Sequence, residues 1–319
     1  MGRTAWTDVP AILRERVEQT LGGTVTTTES QAAGWSPGSA DRVVTATGRR
    51  AFVKTVSRSR NADAFDLHRR EARVVAQLPS TVQAPLLLDA FDATADGDEW
   101  VVLVLDDIEG EQPGAALDGR DTAAVLDALD TLPPATGDLR ALPRIADDLR
   151  HEFSAWDRML GNPTLADRVA EVVPAHVLAA GPAIARAADR AAALVDGEHL
   201  VHADCRADNL LVDGSGVVWV VDWPWASIGA HWLDPLTYLV DTLVRGEDSD
   251  VEHHLATHPV FAGLPAATVD AVLAGLAGLF FDHALPPAPP NMPTIRDFQR
   301  REGVAAAEWL LRRWDAAPR

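Results

Sequence analysis

One stretch restricts the possible folds of this chain more than any other. It is His202-Ala203-Asp204-Cys205-Arg206-Ala207-Asp208-Asn209, followed by two short apolar runs and Asp222. Residues 209–212 and 217–221 read as strands, and Asp213-Gly214-Ser215-Gly216 between them is turn sequence, so the pair forms a compact β insertion. The outer ends of an antiparallel hairpin lie roughly 5 Å apart. The insertion therefore brings the Asn209 amide oxygen and the Asp222 carboxylate together at one open end. Both are hard oxygen ligands, the kind Mg²⁺ takes alongside water and phosphate oxygens. Asp204 lies five residues before Asn209, on the loop that enters the hairpin. From there its carboxylate can reach the same space, orient an incoming hydroxyl and accept its proton.

The base composition singles out a second position. Of 28 basic residues only Lys54 is lysine; every other is arginine. Lysine supplies a compact ammonium where arginine supplies a planar fork that needs more room. The formal charge of −19 argues against a nucleic-acid binder that relies on phosphate contacts, and it suits a cationic small-molecule partner. A lone cysteine, Cys205, excludes an internal disulfide and a cysteine-rich zinc site. No signal-peptide pattern opens the chain, and no window reads as the run of ~18 apolar residues that a membrane span requires. A cytoplasmic protein, monomeric or homodimeric, is expected.

Hydrophobic periodicity changes character along the chain. A helix is expected over residues 5–22 with Pro10 in its first turn, and a hairpin over 42–46 and 51–56, with Lys54 inside its second strand. A helix over 61–78 carries Glu71, and strands follow at 86–91 and 100–105. The segment 106–114 breaks the pattern. Beyond it helices are expected over 121–132, 142–160, 165–173 and 182–195, then the β insertion, then helices from Pro265 and over 294–314. This strand-rich first third and helical remainder give an α+β, two-lobed chain: 1–105 as the N-lobe, 106–114 as a hinge and 115–319 as the C-lobe.

Asp204, Asn209 and Asp222 follow the order of a phosphoryl-transfer loop, in which an Asp is followed five positions later by a metal-binding Asn and then by a metal-binding Asp. With its flanks, Leu200-Val201-His202-Ala203-Asp204 and Val220-Val221-Asp222-Trp223-Pro224-Trp225, the region resembles the aminoglycoside phosphotransferase family, its actinobacterial members most closely. The likeness runs from about Gly34 to the C-terminus and is weakest over 121–195. Ala203 stands where the family usually has glycine, and Cys205-Arg206 replaces a commoner Leu-His pair.

The resemblance implies a protein-kinase-like fold: an N-lobe antiparallel sheet plus helix, and a mostly helical C-lobe with the hairpin at the catalytic loop. It implies ATP or GTP with Mg²⁺ as cofactors. Asp204 would be the catalytic carboxylate, with Arg206 near the transferred phosphate and Asn209 and Asp222 holding the metal. The loop containing Ser36, Gly38 and Ser39 would cover the nucleotide phosphates, and Lys54 would contact them while Glu71 holds it as an ion pair. The Asp106 carbonyl and Ile108 amide would meet the base. His202 and Asp234 would support the loop.

Three functions are compatible with this set. A small-molecule O-phosphotransferase uses every residue named. A protein kinase needs a long peptide-binding segment, yet only eleven residues separate Asp222 from Asp234, with no Ala-Pro-Glu-like end. A nucleotide-binding pseudokinase would be expected to have lost a polar group, and none is missing. The acceptor expected is an aminoglycoside-like molecule, which would make the chain an antibiotic-resistance enzyme. Alternatives are an amino sugar, a macrolide, a choline-like alcohol or homoserine. Glu152, Asp157, Asp241 and Asp282 are candidates for its binding floor.

Overall fold

The computed structural model describes residues 4–31, 38–114, 120–246, 250–289 and 292–316. They form two compact units: Met1–Ala115 with Asp208–Ala226, and Ala116–Ala207 with Ser227–Arg319.

The first unit begins with a 3₁₀ turn at Trp6–Asp8 and then α1 (Ala11–Leu21), so the single helix expected over 5–22 is two pieces. Pro10 separates them. The residue before a proline is driven to extended backbone, and Val9 has φ −68° and ψ 134°. There follow β1 (Val25–Ser30), β2 (Ser39–Thr45), β3 (Arg50–Ser57), α2 (Ala62–Val75), β4 (Leu87–Ala95), β5 (Asp98–Leu105) and β6 (Gly110–Glu111). The first five strands make one antiparallel sheet in the order β1-β2-β3-β5-β4.

Side chains alternate across a sheet, and here the alternation sorts two cores. Val53, Val102 and Val104 pack with Leu13, Val17 and Leu21 of α1. Val56, Val101 and Leu103 pack with Ala64 and Phe65 of α2. Lys54 is one residue from Val53 and pairs with Leu103, so it points toward α2.

In the second unit come α3 (Arg120–Asp130), α4 (Ile145–Glu152), α5 (Ala155–Gly161), α6 (Ala166–Val172), α7 (Ala175–Ala188), α8 (Ala191–Leu194) and β7 (His199–Val201). The helix expected over 142–160 is broken at Phe153-Ser154, where the Ser154 hydroxyl donates to the His151 carbonyl (2.8 Å) and competes with the helical bonding. The helix expected to start at Pro182 starts at Ala175 instead and contains the proline. Its buried stripe, Val177, Gly181, Ile184 and Ala188, keeps helical spacing through that point, so packing carries the helix past a residue that would otherwise end it.

The chain then returns to the first unit for β8 (Leu210–Asp213) and β9 (Val218–Val220). Sequence order alone assigns this hairpin to the helical lobe. Its partners lie in the first unit, where β6, β8 and β9 form a second sheet and the Val220 amide donates to the Gln83 carbonyl (2.8 Å). Back in the second unit are β10 (Ser227–Gly229), paired with β7, then α9 (Leu233–Val244), α10 (Val251–Thr257), α11 (Ala266–Ala284) and α12 (Ile295–Ala316). Contrary to the sequence reading, α11 is long and apolar enough to cross a membrane. It is the core helix of its unit, with Trp156 of α5 donating to the Ala274 carbonyl (2.9 Å) and stacking edge-on against Phe281.

Candidate active site

In the first unit, Lys54 Nζ lies 2.7 and 2.9 Å from the two Glu71 oxygens and 2.5 Å from Asp222 Oδ1. Glu71 is on the buried face of α2, and Asp222 follows β9 with φ 65°, a left-handed conformation that turns its carboxylate out of the strand direction. Burial by itself would depress the Lys54 pKa. The charges of Asp222 and Glu71 outweigh it, so the pKa is raised and the ammonium persists. Burial pushes the Glu71 carboxyl upward against the pull of Lys54. His68, one turn before Glu71 on the same face, is pushed down to about 3 by burial and by the charge of Lys54. Its imidazole is therefore neutral.

Asn209 sits at the mouth of the hairpin, where its carbonyl accepts the Val221 amide (2.9 Å), one residue before Asp222. The donor set fits Mg²⁺: two side-chain oxygens from one hairpin, with the remaining positions left to phosphate and water. Gly38 and Ser39 lie at the start of β2. A side chain at Gly38 would collide with the Thr55 carbonyl, so glycine is required there. Ser39, expected at the phosphates, is a buried strand residue instead, and its hydroxyl is paired with that of Thr55 (2.9 Å). Ser36, with Gly34, Trp35 and Pro37, lies outside the described residues.

At the segment expected to meet the base, the Asp106 amide donates to the Leu86 carbonyl (2.9 Å) and the Ile108 carbonyl accepts from Arg42 (3.0 Å). The Asp106 carbonyl and Ile108 amide stay out of those bonds. Asp107, which the sequence did not single out, anchors the segment through Arg50 (2.6 and 2.9 Å) and Arg42 (3.2 Å).

The second unit holds the loop over 202–207 that the sequence marks as the candidate catalytic loop. Asp234, buried in the first turn of α9, accepts the His202 and Ala203 amides at 2.5 and 2.9 Å. Burial raises its carboxyl while these donors stabilise the charged form. Ala203 has φ 63°, the left-handed region that glycine enters freely, which explains glycine as the commoner residue at this point. Asp204 and Arg206 form an ion pair at 2.5 Å, both partly exposed, and the Arg206 guanidinium lies over the Phe298 ring at 5.5 Å. Cys205 is buried, and burial with its aspartate neighbours raises its thiol well above the usual range.

The four residues expected at the acceptor do not form one acidic floor. Glu152 pairs with His283 (3.1 Å) and Asp282 with Arg158 (2.5 Å), whereas Asp157 is exposed on α5. Asp241, expected to face a ligand, is buried: it accepts the Ala207 amide (2.9 Å) and pairs with Arg245 (2.9 Å).

The antiparallel sheet, the lysine–glutamate pair, and a hairpin aspartate beside them define a phosphotransferase of the protein-kinase-like fold. Residues 33–266 match the phosphotransferase enzyme family (APH), and the chain belongs to that family. It is thus a small-molecule kinase with a hydroxyl acceptor. No curated protein sequence matches it.

Among solved structures, a thermostable mutant of aminoglycoside phosphotransferase APH(4)-Ia, in a ternary complex with ADP and hygromycin B, aligns with TM-score 0.57 at 16% identity over 96% of this chain and 99% of that one. Choline kinase LicA from Streptococcus pneumoniae aligns with TM-score 0.54 at 14% identity, covering 96% and 98%. A macrolide 2′-phosphotransferase type I aligns with TM-score 0.56 at 19% identity, covering 89% and 93%. At these identities the likeness establishes the fold.

Proposed function

We propose that this chain transfers the γ-phosphoryl group of ATP to a hydroxyl of a small polar acceptor. The observation that carries the reading is the buried Lys54 ammonium, shared between Glu71 and Asp222. Such an ammonium, fixed in place and held charged, is the donor that α- and β-phosphate oxygens require. Asn209 and Asp222 would hold Mg²⁺, which when bound neutralises charge on the phosphates. Asp204 orients the acceptor hydroxyl and takes its proton, while Arg206 moves from Asp204 to the transferred phosphate. GTP is the alternative donor, and the reading assumes a cytoplasmic setting.

An aminoglycoside-like acceptor fits the acidic chain, and the APH(4)-Ia and macrolide enzymes offer the precedent. One observation favours a second reading. Glu152 is already hydrogen-bonded to His283 and Asp282 is paired with the Arg158 guanidinium, which suits an uncharged metabolite alcohol better than a polycation.

The test is ADP release from Mg-ATP across aminoglycosides, amino sugars, macrolides and small alcohols, in wild type and Asp204→Ala. One acceptor class should raise turnover above the water background. In the variant that gain should fall by about 10²-fold or more while ATP affinity holds within about threefold. Loss of ATP binding as the main effect of the variant would count against Asp204 as proton acceptor.

A further inference from the structure

The catalytic loop of the second unit is tied to α9 at two points rather than one. Asp234 takes the amides of His202 and Ala203 at the loop's entrance. Asp241 takes the Ala207 amide at its exit (2.9 Å) and is balanced by Arg245 Nε (2.9 Å), one turn further along the helix. Positions 234 and 241 are seven residues apart, so both carboxylates project from one face of α9, about 10.5 Å apart along its axis. The chain between the amides of Ala203 and Ala207 can span at most about 14 Å. Two fixed ends at that separation leave the loop little slack.

The residues between the ties are sorted by this arrangement. Cys205 is buried against the protein, while the flanking Asp204 and Arg206 remain partly exposed and in contact with each other. Ala207 is itself buried, so without Asp241 its amide would be left unpaired at a cost of roughly 1–3 kcal/mol. Arg245 also reaches the Tyr238 hydroxyl (3.4 Å), which holds the cation on the helix.

The geometry points to Asp241 as a positioning residue for phosphoryl transfer: it fixes the exit of the catalytic loop, and so the register of Asp204, through the Ala207 amide. This role rests on the phosphotransferase reading, with the fixing of the loop as a separable part.

The experiment compares wild type, Asp241→Leu, which removes the acceptor oxygen, and Asp241→Asn, which keeps one. Amide hydrogen exchange reads the loop, and ADP release from Mg-ATP with water as acceptor reads turnover. In Asp241→Leu, exchange at Ala207 should quicken by about tenfold or more. Its kcat should fall about 10- to 100-fold with the ATP KM within about threefold. Asp241→Asn should restore both. Two results overturn the proposal: unchanged Ala207 exchange in Asp241→Leu, or an activity loss in both variants that only tracks the folded fraction. If Asp241→Leu does not fold, the wild type still decides, because an Ala207 amide exchanging as freely as an exposed loop amide means there is no tie. A wild type that turns over Mg-ATP with no acceptor of the panel removes the phosphotransferase reading, and the exchange data then judge the loop alone.

Discussion

Lys54 is the one basic position in the chain occupied by lysine, and its contacts show why an arginine would not serve there. Its ammonium is shared by three carboxylate oxygens at 2.5–2.9 Å in a mostly buried setting. A guanidinium is planar and wider, and cannot take those three contacts from the same point. Lys54→Arg should therefore lower Mg-ATP turnover by about 10²-fold, measured as kcat on folded protein; wild-type turnover would mean the lone lysine is a coincidence.

His68 supplies a pH signature. Its pKa in the fold, about 3, lies below the unfolded value near 6.5. Its contribution to stability is thus complete above about pH 6.5 and drains away as pH falls toward 3, at up to about 1.4 kcal/mol per pH unit. Urea unfolding between pH 6.5 and 4.5 should lose stability faster in wild type than in His68→Gln. Parallel curves would exclude His68 as the source.

The contact of Asp222 with Lys54 was legible beforehand, because hairpin spacing and the lone lysine report both positions in the sequence. Asp241 was misread for want of a tertiary partner. Its hydrogen bond to Ala207 spans 34 positions of sequence, and only the seven-residue step from Asp234 hinted at a shared helix face.

Elements were legible where one periodicity dominated. The hairpin β2–β3 and helix α2, with Asn61 accepting the Ala64 amide as its cap (2.7 Å), follow directly from turn and cap residues. Helix α9 was not read as a helix, although Asp234, Thr237 and Asp241 keep helical spacing on one face of an otherwise apolar segment. The short strands β7 and β10 escaped because three residues carry no pattern. Helix α7 was cut at Pro182 because proline ordinarily ends a helix, yet the structure carries it through. Pro182 is exposed and denies the Leu178 carbonyl its helical donor. Pro182→Ala should accordingly stabilise the protein by about 1–3 kcal/mol in urea unfolding. No gain would mean the surrounding helix has already absorbed the cost.

At the scale of the whole molecule, a charge of −19 acts over distances set by salt. The screening length shrinks from about 30 Å at 10 mM to about 10 Å at 100 mM. If the field gathers a cationic acceptor, its KM should rise several-fold over that range, on the order of 3- to 10-fold, while that of a neutral acceptor stays within about twofold. Equal responses would assign the charge to solubility alone.

The first unit is also written in the chain in two instalments, 1–115 and 208–226, and the second instalment brings Asp222 to Lys54 and β8 to β6. At a synthesis rate of about 5–20 residues per second, β6 waits several seconds or more on the ribosome for the hairpin that pairs with it. During that wait Lys54 has Glu71 alone. A nascent chain stalled before residue 208 should therefore present β6 without its partner strand to chaperones, and fusing residues 1–115 to another protein would leave Lys54 without Asp222.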